Sequence, residues 1–402
     1  MPSFRYKAKR EDASTTSGQV IAANREEAID KINQMRLVPI QVEEITPGGG
    51  SGNRGGLGSI KARHVCQFTR QLFHLLKGGV SILKALEILA HQQKSPAMRD
   101  MLESLHIGIR DGRSFSGCLT AYPGIFPPFY TAMVKAGEES GNLKDIVGDL
   151  ADYLKGRQEI NAKVTNAFMY PALMSVLGLG SVTFILTYVL PKLSVLYKQF
   201  HQALPVPTRV VMALSNFFIH HWIEIGLVLL IGWLSAYRFC RSPQGRLKLG
   251  QWQLGLPVIG PFLIKVDMMR FCRTLGLLLK SGIPIVRAVQ LAVPVVKNEQ
   301  LRAHLAQCRE DLIAGRSFTD SLKEIRLLPE TFALIIAIGE ESGDLTQVLF
   351  DTHENYNLET SEALKTMTTL LEPLLIIVVG SVIGFIVIAM LLPIFQLDMM
   401  VS

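Results

Sequence analysis

Two sets of charged residues are spaced so that they could do chemistry. Asp145, Asp149 and Asp152 fall at i, i+4 and i+7 and would line one stripe of a helix, and Asp344, Asp351 and Glu354 form a looser version. Each stripe follows a glutamate pair, Glu138-Glu139 and Glu340-Glu341. Carboxylates so placed can hold a hard divalent cation, with Glu138, Asp145 and Asp149 as the candidates, or face a cationic partner. The second set is basic: Arg70, Lys77 and Lys84 recur as Arg273, Lys280 and Arg287. A seven-residue step puts the first two of each set on one helix face, and the third lies beyond a glycine break. Such faces are either solvated and paired within the chain or they bind a partner. Both readings stay open for Arg70, Lys77, Glu138, Glu139, Asp145, Asp149, Asp152, Arg273, Lys280, Glu340 and Glu341.

Catalytic chemistry finds no support. The sequence has no GxxxxGK loop, GxSxG elbow or HExxH, and no GxGxxG that directly follows a strand and opens a helix. The glycine pairs Gly48-Gly49 and Gly55-Gly56 sit in a linker. Nine histidines lack ligand spacing, and Cys66, Cys118, Cys240, Cys272 and Cys308 are scattered without a CxxC pair. Neither a disulfide framework nor a zinc site is expected, and reduced thiols in a cytoplasmic compartment fit best. No cofactor is implied.

The charged sets ride on a duplication. Phe68 to Ala90 returns as Phe271 to Val293, with identity at Phe68, Arg70, Leu72, Leu75, Leu76, Lys77, Gly79, Ile82 and Ala85 against Phe271, Arg273, Leu275, Leu278, Leu279, Lys280, Gly282, Ile285 and Ala288. GRSF at Gly112 recurs at Gly315, and GEESGNL at Gly137 recurs as GEESGDL at Gly339. Copies this far apart are two domains rather than a short-period solenoid. Apolar residues recur at three and four residue steps from Phe68 onward, which predicts helices. Breaks fall at Gly78-Gly79, at Lys94-Ser95-Pro96, at Asp111-Gly112, at Tyr122-Pro123-Gly124 and at Ser140-Gly141-Asn142. Five or six helices per copy follow, the last running from Leu143 toward Asn166, and both copies read as all-α bundles.

Ahead of them, residues 1–45 alternate strand and helix character and predict a small α+β cap. Residues 46–59 are glycine-rich and predict a flexible tether on which the cap moves independently. The N-terminal MPSFRYKAKRED is charged with no apolar stretch behind it, so no cleavable leader is expected.

Three apolar runs account for a mean hydropathy of +0.28 and mark a membrane protein. Residues 168–190 and 373–395 carry no charge and are long enough to cross a hydrocarbon core of about 30 Å. They are repeat partners, with Pro171, Gly178 and Pro191 matched by Pro373, Gly380 and Pro393. The prolines lie at the membrane boundary, where each suits a helix start or a kink. Gly178 and Gly180, and Gly380 and Gly384, would allow close helix approach within or between subunits.

The third run, 217–238, is weaker because it contains His220, His221 and Glu224. Topology favours it: each repeat runs bundle first and span second, so like bundles in one compartment require a return crossing. The expected order is bundle 60–167, span 168–190, loop 191–216, span 217–238, bundle 239–372, span 373–395 and tail 396–402. Lys155, Arg157 and Lys163 before the first span, and Arg238, Arg241, Arg246 and Lys248 after the second, put the bundles and N-terminus in the cytoplasm and the C-terminus outside. The net charge of +7 is spread along the chain without aromatic interleaving, which suits an anionic leaflet rather than nucleic acid.

With duplicated bundles, GRSF, the two GEESG motifs, YP and EP before the spans and LPIF near the end, the chain resembles the type II secretion F protein and type IV pilus C protein family. The resemblance implies a mainly α bacterial inner-membrane platform without enzymatic activity, with three spans and two cytoplasmic bundles. It implies a homo-oligomer that couples a cytoplasmic secretion or pilus ATPase to insertion of pseudopilin or pilin subunits, beside other platform proteins and membrane lipids. Secretion is the preferred branch. A transporter or channel would want ionisable groups in spans one and three, which have none, and a membrane-anchored enzyme would want a convergent polar site.

Overall fold

The computed structural model describes residues 3–9, 15–22, 24–34, 37–45, 60–192, 205–257 and 259–401. The tether expected at 46–59 lies outside them, as do residues 193–204 of the expected loop. Contacts divide the chain into Met1–Lys61 and Ala62–Ser402.

The first unit holds β1 (Ser3–Lys9), β2 (Thr15–Ile21), α1 (Arg25–Gln34) and β3 (Val38–Ile45). The sheet order is β2-β1-β3, with β1 antiparallel to both neighbours and a register shift between Lys7 and Ala8. Asn24 starts α1 by accepting from the Glu27 amide at 2.8 Å, and Ala28 is buried.

The second unit opens with α2 (Ala62–Lys77), α3 (Ile82–Gln92), α4 (Pro96–Arg110), α5 (Phe115–Leu119), α6 (Pro128–Glu139) and α7 (Leu143–Phe184). Then come α8 (Val206–Arg241) and α9 (Pro243–Gly255). The second copy repeats the first six as α10 (Ile259–Lys280), α11 (Ile285–Ala292), α12 (Glu299–Ile313), α13 (Phe318–Lys323), α14 (Glu330–Glu341) and α15 (Leu345–Val401). Part of the repeat identity is core: Phe68, Leu72 and Ala85 and their partners Phe271, Leu275 and Ala288 are all fully buried. Each phenylalanine or leucine so buried contributes about 1.5–3 kcal/mol.

Local chemistry sets the helix ends. Ser81, Ser114 and Ser317 accept from amides three residues on, and Pro96 and Pro128 begin their helices, where a missing N–H costs nothing. Gly141 and Gly343 close α6 and α14 with φ of 70° and 73°, a conformation that disfavours other residues.

The boundaries expected at 167/168 and 372/373 fall inside continuous helices. Pro171 lies within α7 and Pro373 within α15, so neither starts a helix. Bundle and apolar run are therefore one rod in each copy, and α15 alone, at 57 residues, is about 85 Å long. After Phe184 the first rod loosens into a π turn, Ile185–Val189, where the Leu186 carbonyl accepts from the Ser215 hydroxyl. Pro191 follows in the same helical stretch, and Pro393 falls within the bounds of α15.

Among the described residues, two stretches are long and apolar enough to cross a membrane, Leu143–Lys192 and Leu345–Leu392. The apolar part of α8, Gly226–Cys240, is shorter. That helix departs from helical geometry at His221, with φ −113° and ψ 18°. Its first part packs Val211 among Leu186, Leu190, Ile386 and Ala389, and Thr208 donates to the Ala389 carbonyl. Its far end leads into α9, which packs on α10 and α12 of the second bundle.

Candidate functional site

The two recurrent motifs meet each other. In GEESG, Glu138 accepts from the amides of Phe115 at 2.6 Å and Ser116 at 3.0 Å and from the Ser116 hydroxyl, so it caps the helix that GRSF starts. Glu340 does the same for Phe318 at 3.0 Å and Thr319 at 2.9 Å. A carboxylate at a helix N-terminus satisfies orphan amides and meets the positive end of the dipole. The leading glycine has its own reason: a Cβ on Gly137 would lie 2.9 Å from Ile146, and one on Gly339 would lie 2.9 Å from Val348. Glu138 and Glu340, expected among the partner-binding residues, are thus committed inside their own bundles. Glu139 and Glu341 remain exposed.

The acidic stripe of the first copy and the basic face of the second come together. Lys280 Nζ donates to Asp149 Oδ1 at 2.8 Å. One turn on, Arg273 Nη2 donates to the Asp152 carbonyl at 3.0 Å, and the Tyr153 and Thr274 hydroxyls lie 3.3 Å apart. Gly156 gives the guanidinium room, since a Cβ there would sit 3.1 Å from Arg273 Nη1. Arg273 Nη1 also donates to His353 Nε2 at 3.0 Å, while His353 Nδ1 donates to the Met269 carbonyl at 2.9 Å. An arginine can only donate and a carbonyl can only accept, so His353 is held as the neutral Nδ1–H tautomer. Burial first, and then Arg273, hold its pKa below the ordinary histidine value, against the upward pull of the Met269 carbonyl.

The rest of the charged set stays at the surface. Arg70 and Lys77 are exposed, Lys77 above the Phe73 ring at 5.8 Å. Lys84 pairs with Glu87 at 2.9 Å, Arg287 reaches Gln290, and Asp145 lies 3.7 Å from Lys144. Glu138, Asp145 and Asp149 do not converge, and among the described residues no group of three His, Cys, Asp or Glu side chains is placed to hold a metal.

Between the rods, Gly178 meets Val379, whose Cγ2 would be 2.8 Å from an added Cβ. Among the described residues, a Cβ at Gly180, Gly380 or Gly384 would meet nothing within 4 Å beyond its own stretch of helix. At the start of the apolar runs, the Tyr170 and Glu372 side chains lie near each other, so the residues before the two prolines approach across the copies.

Sequence reasoning missed Asp267. Buried, it binds Arg270 at 3.3 Å and the amides of Lys297 and Asn298 at 3.1 and 2.8 Å. Its counterpart in the first copy is His64, so the repeat carried no hint of it.

A family model described as type II secretion system protein F matches residues 68–191 and 271–393, and one for that protein's N-terminal domain matches residues 1–43. The chain is 31% identical to the type II secretion system protein F of Pseudomonas aeruginosa over 406 residues, covering all of both chains. It is 32% identical to the protein of that name from Xanthomonas campestris, with 99% of each chain covered. It is 30% identical to the type IV pilus assembly protein PilC of Thermus thermophilus, with 99% of this chain and 98% of that one covered.

Proposed function

We propose that this chain, which belongs to the type II secretion system protein F family, couples a cytoplasmic assembly ATPase to pseudopilus assembly at the bacterial inner membrane. The family is a platform family shared by secretion and pilus machines, and it is not enzymatic. Relatives named for secretion and for pili match at similar identity, and secretion is the branch proposed here, with a type IV pilus platform as the second reading.

The carrying observation is the rod. Helices continuous from bundle into apolar run give a stiff path by which a push on a bundle reaches the bilayer. In this reading α8 supplies the second of three spans. Its start packs at the ends of the rods remote from the bundles, and its end leads into α9 on the second bundle. The stretch after the His221 kink, 222–241, is about 30 Å long, the thickness of the hydrocarbon core. Leu227, Ile231 and Leu234 are exposed along it, as lipid contact requires. Both bundles and the N-terminus then lie in the cytoplasm, and the C-terminus lies outside. The exposed Asp145, Asp152, Glu139, Arg70 and Lys77 of the first bundle offer the surface for the ATPase. Pseudopilins, further platform proteins and other copies of this chain meet the rods, and the open face at Gly380 and Gly384 suits close helix packing.

The test is complementation. In a strain lacking this chain, the wild type restores release of a folded exoprotein, and Asp145→Lys with Asp152→Lys does not, while still inserting and co-purifying with its own copies. Restored piliation with no effect on exoprotein release selects the pilus reading.

A further inference from the structure

The strongest feature that the platform role does not use is a cleft of about 300 Å³ where the two copies meet. Arg157 of α7, Arg270 and Arg273 of α10 and Lys297 before α12 all line it, and its lining contains no carboxylate. Asp267 stands nearby, buried, with its oxygens engaged by Arg270 and two backbone amides, and an adjoining cavity that shares Arg273 and His353 carries Asp149, Asp152, Asp351 and Glu354 in its lining. Neither Arg157 nor the Lys297 ammonium forms a salt bridge with a described residue, and both are exposed to the cleft. The unpaired positive charge of the cleft is that of Arg157 and Lys297, since Arg270 is paired with Asp267 and Arg273 is bound to His353 and the Asp152 carbonyl. Arg270 foremost, then burial and Arg157, hold the Lys297 pKa below the ordinary lysine value even though Asp267 pulls it up.

The duplication supplies an internal control. The first-copy counterpart of Arg270 is Gln67, and the second-copy counterpart of Arg157 is Glu359. The same bundle folds without these charges, so the fold does not require them. Phe129 and Tyr153 are buried residues of the lining, and a second cavity of about 350 Å³ shares Arg270 and Lys297 and continues along Phe262, Leu263 and Leu364. A cationic mouth beside an apolar wall suits an anion with an apolar or aromatic body. The Arg157 fork with the Lys297 ammonium near it matches the oxygens of phosphate better than a single carboxylate.

We propose that this cleft binds a phosphate group carried on an apolar or aromatic body, bridging the two repeats through Arg157 on one side and Arg270 and Lys297 on the other. Two sources carry that chemistry, a soluble phosphate ester and the headgroup of an anionic lipid. Arg157 lies about 16 Å along α7 from Phe168, beyond the usual headgroup layer, while the second cavity leads back toward the bilayer.

The experiment uses the full chain in nanodiscs. In one arm the discs are zwitterionic phosphatidylcholine, and pyrophosphate and adenosine diphosphate are titrated by calorimetry at constant ionic strength. In the other, mixed discs are used and the enrichment of phosphatidylglycerol around the protein is measured by native mass spectrometry. Arg157→Gln with Lys297→Gln removes two exposed cations, and its unliganded Tm should match the wild type. Arg70→Gln with Lys77→Gln removes the same charge elsewhere. Binding in either arm that weakens about tenfold or more in the first variant and holds in the second supports the site and identifies its source. Absence of binding in both arms, or equal loss in both variants, overturns it.

Discussion

Lys280 Nζ lies 2.8 Å from Asp149 Oδ1, and through that pair the basic face of the second repeat closes on the acidic stripe of the first. The stripe is therefore of mixed use. Asp149 faces inward to the junction, while Asp145 and Asp152 keep exposed side chains. Reversing Asp149 to lysine should lower the Tm of the purified chain by a few degrees, since an exposed pair contributes less than about 1 kcal/mol and like charges then add repulsion. Asp149→Lys with Lys280→Asp should recover most of the loss, and Asp145→Lys should leave Tm unchanged. A swap that recovers nothing would mean the pair does not form.

Glu138 and Glu139 should behave oppositely despite being neighbours. Glu138→Ala strands two amides at the start of α5 and should cost about 2 kcal/mol, read as a lower denaturation midpoint. Glu139→Ala leaves an exposed lysine contact at 3.6 Å unmade and should cost almost nothing. Equal effects would contradict the capping role.

One ring is placed from opposite sides in the two copies. In the first, Phe73 of α2 lies over Gly148 of α7, where a Cβ would come within 2.7 Å of the ring. In the second, Phe350 of α15 lies over Gly276 of α10 at 3.4 Å. Gly148→Phe alone should therefore impair folding, measured as detergent-soluble yield. Phe73→Gly with Gly148→Phe imitates the second copy and should restore it, whereas a double variant no better than the single would show that the copies pack differently.

His353 makes the junction acid-sensitive. The folded chain binds a proton there less readily than the unfolded chain does, because burial and Arg273 disfavour the charged ring. Its stabilising share is thus intact above the ordinary histidine value of about 6.5 and is lost as pH falls from there toward the lower folded-state value. Tm should drop between pH 7 and pH 5, and the drop should be smaller in His353→Gln. An identical pH profile for the variant would remove His353 from this account.

Much of the fold was legible because it is written twice. Apolar steps, glycine breaks and prolines at helix starts are local signals, and the helices end at Gly79, Gly112 and Gly141 for the local reason of positive φ. The functions of the motif residues were not legible. Glu138 acts on Phe115 and Ser116, which are near in space but remote along the chain, and only packing brings them together. Pro171 and Pro373 read as boundaries because proline disfavours a helix interior, yet each rod runs continuously through its proline. Asp267 and Arg270 share α10 at i and i+3, but Arg157 lies on α7 and Lys297 ahead of α12, so no periodicity could have collected all four.

The central claim is that both bundles share the cytoplasm, which requires α8 to cross the membrane. Single cysteines in a cysteine-free background test it directly: Glu139→Cys in the first bundle, Glu341→Cys in the second and Lys192→Cys at the far end of the first rod, all exposed positions. With a membrane-impermeant maleimide on cells whose inner membrane is intact, Lys192→Cys should label, and Glu139→Cys and Glu341→Cys should label only after that membrane is opened. Labelling of Glu341→Cys from outside, with Glu139→Cys protected, would place the bundles on opposite sides and contradict the three-span platform.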